Sequence, residues 1–463
     1  MHLLRGALVP LLCGALIVTV GPVVTIAPAA SATASAAAVA SVAPTAKKPG
    51  KKPDKPKKPP YEVRPGLTFN SPIGSRATKR RIYDKILGAI NHARRGSTIK
   101  IMTWNFMSAE AMNALLGAQK RGVVVRLLMD SSNIDEDTPN PTYLRLRREL
   151  AAHNVNKKRP ENRSHAKTCA GSCRGKSGAA HAKFFLFSHT GASRQVLMQG
   201  STNITVAAAY NQWNDLFTFV GRKEIYKYAS GIFNQMWRDK PVAQPFTSFE
   251  RGRFGLTFSP YAGKGFKSDP VQDTLDQVRC RGAVKAGNKR HRTIVRSAPD
   301  VIRGKRGMVA AKRLKLLWDR GCDVRIVYTV MGKAVRQVLK APRNRGPVPM
   351  RHLVQDFDGD GDFDNYFHIK VLTINGVVGK NRTTYVTYNG SSNTSDFATR
   401  SDENIGTVHG ARFTLAYQRH IDYWFENPPP DGSEDENGGS SNIPGGGAAR
   451  TRVVDPYVNV DLD

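Results

Sequence analysis

His181-Ala182-Lys183-Phe184-Phe185-Leu186-Phe187 and His368-Ile369-Lys370-Val371-Leu372-Thr373-Ile374 are one pattern written twice. Each is trailed by a small polar turn, Gly200-Ser201-Thr202-Asn203 after the first and Gly390-Ser391-Ser392-Asn393 after the second. Extended backbone alternates its side chains, so His and Lys two residues apart point the same way. Two copies brought together supply two imidazoles, two ammoniums and two amides around one cleft. That inventory suits an anionic phosphodiester: one His attacks, the other donates a proton, and Lys and Asn hold charge on the oxygens.

The surrounding chain supports a duplication. Gly66-Leu67-Thr68-Phe69-Asn70-Ser71-Pro72 recurs as Gly255-Leu256-Thr257-Phe258-Ser259-Pro260, and Arg121-Gly122-Val123-Val124-Val125-Arg126 recurs as Arg320-Gly321-Cys322-Asp323-Val324-Arg325. With the His-x-Lys pairs and the Gly-Ser turns, the four landmarks keep their order at offsets of 189, 199, 187 and 190 residues. A lone His-x-Lys would mean no more than a half-exposed strand; the ordered set means a repeated unit.

These motifs resemble the phospholipase D superfamily over about residues 61 to 425. The family pattern is His-x-Lys, four residues, then Asp, with a Gly-Ser-x-Asn turn downstream. Ser188 and Asn375 stand where each Asp falls, at a position that supports rather than reacts. The resemblance implies an α/β fold of two similar phospholipase D-like lobes, each a mixed sheet flanked by helices, related by pseudo-twofold symmetry. It implies attack by His181, acid–base work by His368, and oxygen contacts from Lys183, Lys370, Asn203 and Asn393. Ser201 and Ser391 or Ser392 add hydrogen bonds. A further family feature is an acidic residue about ten positions past the Asn that accepts the far ring N–H of a His; Asp215 and Glu403 stand at that distance. No metal is required, because the lysines supply the positive charge.

Strands alternate with helices in both halves. The first reads as helix 78–93, strand 98–104, helix 109–120, strand 123–129, helix 142–152, a basic Cys-bearing insert 156–178, the His181 strand, strands near 195–198 and 215–220, and helix 225–237. The second repeats it: helix 270–280, strand 293–297, helix 307–319, strand 324–329, the His368 strand, strands 384–388 and 405–408, and helix 412–424. This fixes the class as α/β.

The expected divisions are a signal peptide over 1–38, a Lys/Pro-rich linker over 39–60, lobes over 61–250 and 251–426, and a disordered acidic Gly/Ser-rich tail over 427–463. Arg5 opens the first segment and small residues through Ala38 close it. Pro10, Gly14, Gly21, Pro22 and Pro28 interrupt its apolar run and argue against a membrane anchor. The chain is therefore expected to be secreted and, once processed, to be a monomer without a transmembrane anchor.

Formal net charge is +33. Arg5 and the linker carry seven net positive charges and the tail five net negative ones, which leaves about +31 on the folded part. Such a surface meets anions: phospholipid, nucleic acid or another anionic surface. Phospholipid headgroup hydrolysis is the first expectation; an extracellular nuclease and a weakly catalytic binder of anionic polymers are the alternatives. The basic, polar character of residues 156–178 favours nucleic acid, whereas a lipid enzyme should expose apolar side chains beside its cleft.

Four cysteines remain after export, and an even count in an exported chain reads as disulfides. Cys169 with Cys173 and Cys280 with Cys322 is the most economical of three pairings. Finally, Asp356-Phe357-Asp358-Gly359-Asp360-Gly361-Asp362-Phe363-Asp364 matches the opening of a calcium loop, with Asp356, Asp358, Asp360 and Asp362 as ligands, although Phe367 holds the twelfth position where Glu is required. A structural calcium ion there would order the strand that begins at His368.

Overall fold

The computed structural model describes residues 59–134, 139–154, 157–261 and 269–429. The expected signal peptide, nearly all of the linker and nearly all of the tail lie outside the described residues.

The first half builds a seven-stranded sheet. Its order is Gly66–Phe69, Asp215–Phe219, Ser193–Gly200, Phe184–Thr190, Thr98–Met102, Val124–Asp130, His165–Cys169. The second half runs Thr247–Arg251, Phe254–Phe258, Asn404–His409, Asn381–Gly390, Val371–Val378, Ile294–Ala298, Asp323–Tyr328, Met350–His352. From Gly66–Phe69 in one and Phe254–Phe258 in the other, neighbours follow in the same order and senses: four antiparallel pairings, then two parallel ones. The duplication read from four landmarks is thus a duplication of whole sheets.

Local chemistry starts the helices where the pattern placed them. Ser75 caps Arg76–Asn91, its hydroxyl accepting from Thr78 N, and the helix buries Ile82, Tyr83, Ile86, Leu87 and Ile90. Ser108 does the same for Ala109–Lys120. The helices Lys223–Met236, Gly304–Asp319 and Ala411–Glu426 also lie close to their expected ranges.

Three expectations need correction. Residues 156–178 are not an insert, because His165–Cys169 is the seventh strand of the first sheet, pairing in parallel with Val124–Asp130. The division at 250/251 falls inside the hairpin Thr247–Arg251/Phe254–Phe258, so the second sheet begins at Thr247. The His-x-Lys residues stand just ahead of their strands, which begin at Phe184 and Val371.

The two halves share packing. Leu256, Phe258 and Val408 join Phe184, Leu197 and Phe217 in one cluster, and Trp213 joins Phe367, Ile369, Tyr417 and Trp424 in another. Gln199 Nε2 donates to Asn389 Oδ1 across the halves at 3.0 Å. Among the described residues, no helix is long and apolar enough to cross a membrane.

Candidate active site

Short parallel pairings between the halves bring the two motifs together. Ala180 pairs in parallel with Asp402, and His181 N donates to Asp402 O at 3.0 Å. The next pair along is His181 and Glu403, and the His181 ring Nδ1 lies 2.9 and 3.0 Å from the Glu403 carboxylate oxygens. In the other direction, Phe367 pairs in parallel with Trp213. The next pair is His368 and Asn214, whose Oδ1 is 2.8 Å from His368 Nδ1. Each His is therefore oriented by a residue from the opposite half. Both partners accept, which fixes the proton on Nδ1 and leaves Nε2 as the reactive lone pair.

The expected pairing of Asp215 with a His fails. Asp215 lies one residue beyond Asn214, and alternation turns it to the other face. There its carboxylate accepts from Asn389 Nδ2 at 2.6 Å and Tyr417 Oη at 2.7 Å, and burial raises its pKa. The equivalents across the repeat are Asn214 with Glu403 and Asp215 with Asn404. Ser201 Oγ donates to Asn214 at 2.8 Å, and Ser391 Oγ bonds the Glu403 carboxylate. The serines thus steady the residues behind the imidazoles.

The lysines take matching poses. Lys183 Nζ donates to His181 O at 2.6 Å, and Lys370 Nζ to His368 O at 2.8 Å. Lys370 also pairs with Asp300 at 2.7 Å, a contact no sequence pattern announced. Burial lowers both ammonium pKa values, that of Lys183 well below the ordinary value; Asp300 works against the shift at Lys370.

Asn203 Oδ1 accepts from Thr103 Oγ1 at 3.2 Å, which steadies its amide. Asn393 is buried and its Oδ1 has no hydrogen-bond partner among the described residues. Its main chain is pinned by Arg306, which bonds Asn393 O and donates to Ser392 Oγ at 3.0 Å while pairing with Asp269 at 2.8 Å. Of this held amide only Nδ2 can donate to an anionic oxygen; the unpartnered Oδ1 is an acceptor. The turns demand glycine: a Cβ on Gly200 or Gly390 would lie 2.1 Å from the carbonyl oxygen of Asp215 or Asn404.

Electrostatics separate the imidazoles. Burial, then Lys370, Lys183 and His181, hold His368 well below an ordinary imidazole pKa. Burial lowers His181 too, but Glu403 opposes the shift, and the ring keeps 16% exposure at its edge, with Trp104 set edge-on at 5.8 Å.

Ser188 and Asn375 lie well along their strands, five residues past the lysines and about 16 Å away along extended chain. Ser188 Oγ accepts from Thr98 N, and Asn375 Oδ1 from Gly287 N. Both sit on interior strands and bond neighbouring backbone, away from the imidazoles and ammoniums.

Both expected disulfides form, Cys169–Cys173 and Cys280–Cys322. The first closes a loop whose Ser172 Oγ, at 2.9 Å, and Cys173 N hold the Asp402 carboxylate, directly beside Glu403. In the acidic loop, Asp356, Asp358 and Asp364 bring carboxylate oxygens within 4.8 Å of one another. Asp360 and Asp362 are outside that group, so the set expected from sequence shifts to include Asp364. Burial and the neighbouring carboxylates raise the Asp364 pKa. Backbone N–H groups of Gly359 and Gly361 already serve Asp356, and Phe357 N serves Asp364.

Residues 86–237 match the family model described as the PLD-like domain of cardiolipin synthase. No curated protein matches the chain. Among solved structures it is similar to phosphatidylserine synthase of Haemophilus influenzae, at 13% identity and a TM-score of 0.49, covering 80% of this chain and 88% of that one. It is similar to polyphosphate kinase of Porphyromonas gingivalis, at 12% identity and a TM-score of 0.48, covering 78% of this chain and about half, 49%, of the kinase. It is also similar to Nuc, a phospholipase D family member of Salmonella typhimurium, at 18% identity and a TM-score of 0.28, covering 38% of this chain and 96% of that one.

Proposed function

We propose, on the premise of the PLD-like domain matched over residues 86–237, that the chain is a secreted phosphodiesterase of the phospholipase D superfamily that hydrolyses phospholipid headgroup esters. In the first step His181 Nε2 attacks phosphorus, and the bond to the headgroup oxygen breaks. His368, protonated on Nε2, gives that oxygen its proton. In the second step His368 takes a proton from water, the water oxygen bonds to phosphorus, and the phosphorus–His181 bond breaks. Glu403 stabilises the positive charge that the His181 ring carries as a phosphohistidine. Lys183, Lys370, Asn203 and Asn393 hold the non-bridging oxygens.

The observation that carries the mechanism is the cross-half pairing of His181 with Glu403 and of His368 with Asn214. The choice of lipid rests on exposed apolar side chains just past the two Gly-Ser turns, Val206 at 43% and Phe397 at 41%, with Phe357 exposed in the loop before His368. The strongly basic composition supports a second reading as an extracellular nuclease. Purified protein assayed on phosphatidylcholine vesicles and on plasmid DNA, each with and without chelator, tests both. Choline release without DNA nicking supports the first reading. Nicking without choline release replaces it with the second.

A further inference from the structure

Lys370, proposed to contact the phosphate from the second half, is already paired. Asp300 Oδ2 lies 2.7 Å from Lys370 Nζ and 3.9 Å from His368 Nε2, and the Asp300 and Lys370 side chains are 0% and 2% exposed. Asp300 is locked from its main chain, since its carbonyl accepts from Thr329 N at 3.1 Å and Val330 N at 2.8 Å. Among the described residues of the first half no carboxylate pairs directly with Lys183, although the buried Asp130 acts on it from farther away. Counting two residues past the equivalent strands, Thr98–Met102 and Ile294–Ala298, gives Trp104 where the second half has Asp300. The match is independent of counting: Trp104 O accepts from Asp130 N just as Asp300 O accepts from Thr329 N. One strand end presents an indole to the site and the other a carboxylate.

A phosphorus atom within reach of His368 Nε2, about 3.5 Å away, lies within about 7 Å of the Asp300 carboxylate by the distance above. The surroundings are buried, so charges there are weakly screened. Lys370 offers a hydrogen-bond donor to a phosphate oxygen, but its charge is already matched. Glu403 matches any charge on His181 in the same way. Lys183 has no carboxylate in direct contact among the described hydrogen bonds and ion pairs, although Glu403, Asp300 and Asp130 all favour its charge.

We propose that Asp300 is a charge-selecting residue, which by neutralising Lys370 restricts the site to singly charged phosphodiesters and disfavours doubly charged anions such as phosphomonoesters. This deepens the phosphodiesterase reading and rests on it for the identity of the site. Specificity arises here from a built-in repulsive group as much as from attraction.

The test uses two anions whose charge is fixed across neutral pH: diethyl phosphate, singly charged, and sulfate, doubly charged. Their affinities for the whole protein are measured by calorimetry, and their inhibition of bis(p-nitrophenyl) phosphate hydrolysis is measured in parallel. The wild type should bind diethyl phosphate more tightly. Asp300→Asn should move the affinity ratio toward sulfate by about tenfold or more. Asp300→Glu, which keeps the charge, should retain the wild-type preference. A ratio unchanged in Asp300→Asn, or a wild type that binds sulfate as tightly as diethyl phosphate, overturns the proposal. If Asp300→Asn does not fold, the wild-type ratio decides alone. Failure of the wild type to hydrolyse any diester would count against the phosphodiesterase reading, while the calorimetric ratio would still decide the role of Asp300.

Discussion

Replacing Asn214 with Asp should move the alkaline side of the activity profile upward. On the proposed mechanism His368 acts as the protonated acid and His181 attacks as the neutral base, so activity should be bell-shaped in pH. Both imidazoles are lowered from the ordinary value of 6.5, which places the wild-type optimum below that pH. A carboxylate at position 214 would stand 2.8 Å from His368 Nδ1, where the Asn214 oxygen now lies, reproducing the His181–Glu403 geometry of 2.9 Å. Opposite charges about 4 Å apart at an effective dielectric near 20 interact by about 4 kcal/mol, which corresponds to roughly 3 pH units. Two costs reduce this. Asp must be buried, and Gln212 Oε1, now receiving the Asn214 amide at 3.1 Å, would face a carboxylate. A shift of about 1–2 units remains. Because the two rings sense each other, the limbs report the pair rather than one residue. The assay is the pH dependence of kcat and kcat/KM on a soluble diester, with folding checked by circular dichroism. A folded variant whose alkaline limb stays at the wild-type position would refute the assignment of Asn214 as the residue that sets the His368 proton.

His181→Ala and His368→Ala should each abolish nearly all turnover without additivity, and Lys183→Ala should cost about 2–4 kcal/mol of transition-state stabilisation; single-turnover kinetics on the same diester check both. Removing Cys280–Cys322, which spans 42 residues, should lower stability by about 4 kcal/mol and removing Cys169–Cys173 by about 2. The smaller loop holds Asp402, whose carboxyl burial lifts to about 7, so its loss should depress activity more than denaturant melts indicate. His420 is stacked on Phe69 at 3.9 Å, its Nε2 has no hydrogen-bond partner among the described residues, and burial lowers its pKa to about 3. The folded chain then binds fewer protons than the unfolded chain below pH 6.5, so this group costs stability as pH falls from 6.5 toward 3, by up to about 2 kcal/mol at pH 5. His420→Phe should therefore gain on the wild type in melts at pH 5 and lose that advantage by pH 7.5. We propose that Asp356, Asp358 and Asp364 hold a calcium ion; calcium should raise the melting temperature and Asp358→Asn with Asp364→Asn should remove the effect, whereas melts indifferent to calcium and chelator would rule the ion out.

Periodicity revealed the fold because both sheets are built from short buried strands between amphipathic helices, and both signals are local. The helix Ala109–Lys120 falls on its expected range for that reason. The seventh strand, His165–Cys169, was hidden because it is a basic edge strand with little apolar alternation. The imidazoles and lysines were legible because their spacing repeats. Asn214 was missed because a search for acidic residues stops at Asp215, one position on, and only the shared spacing from Ser201 and Ser391 could have corrected it. Asp300 and Arg306 carry no local signature; long-range packing alone brings them to Lys370 and Asn393.

The repeat keeps its geometry while its charge differs, and on the proposed mechanism that difference gives the two halves different work. Positions that superpose by hydrogen bonding hold Glu403 against Asn214, Asp300 against Trp104, and Asp215 against Asn404. A symmetric site would give both imidazoles the same proton affinity, and neither would be favoured as attacker or donor. Here the carboxylate sits behind His181, where the proposed mechanism puts a positive ring in the intermediate. The neutral amide sits behind His368, where a weakly held proton makes a stronger acid. A chain that exchanged the two, Glu403→Gln with Asn214→Asp, should transfer the covalent phosphate from His181 to His368. Peptide mapping of the trapped intermediate distinguishes the two rings. Recovery of phosphate only on His181 in that double variant would show that the choice of nucleophile is fixed by substrate placement rather than by the residues behind the rings.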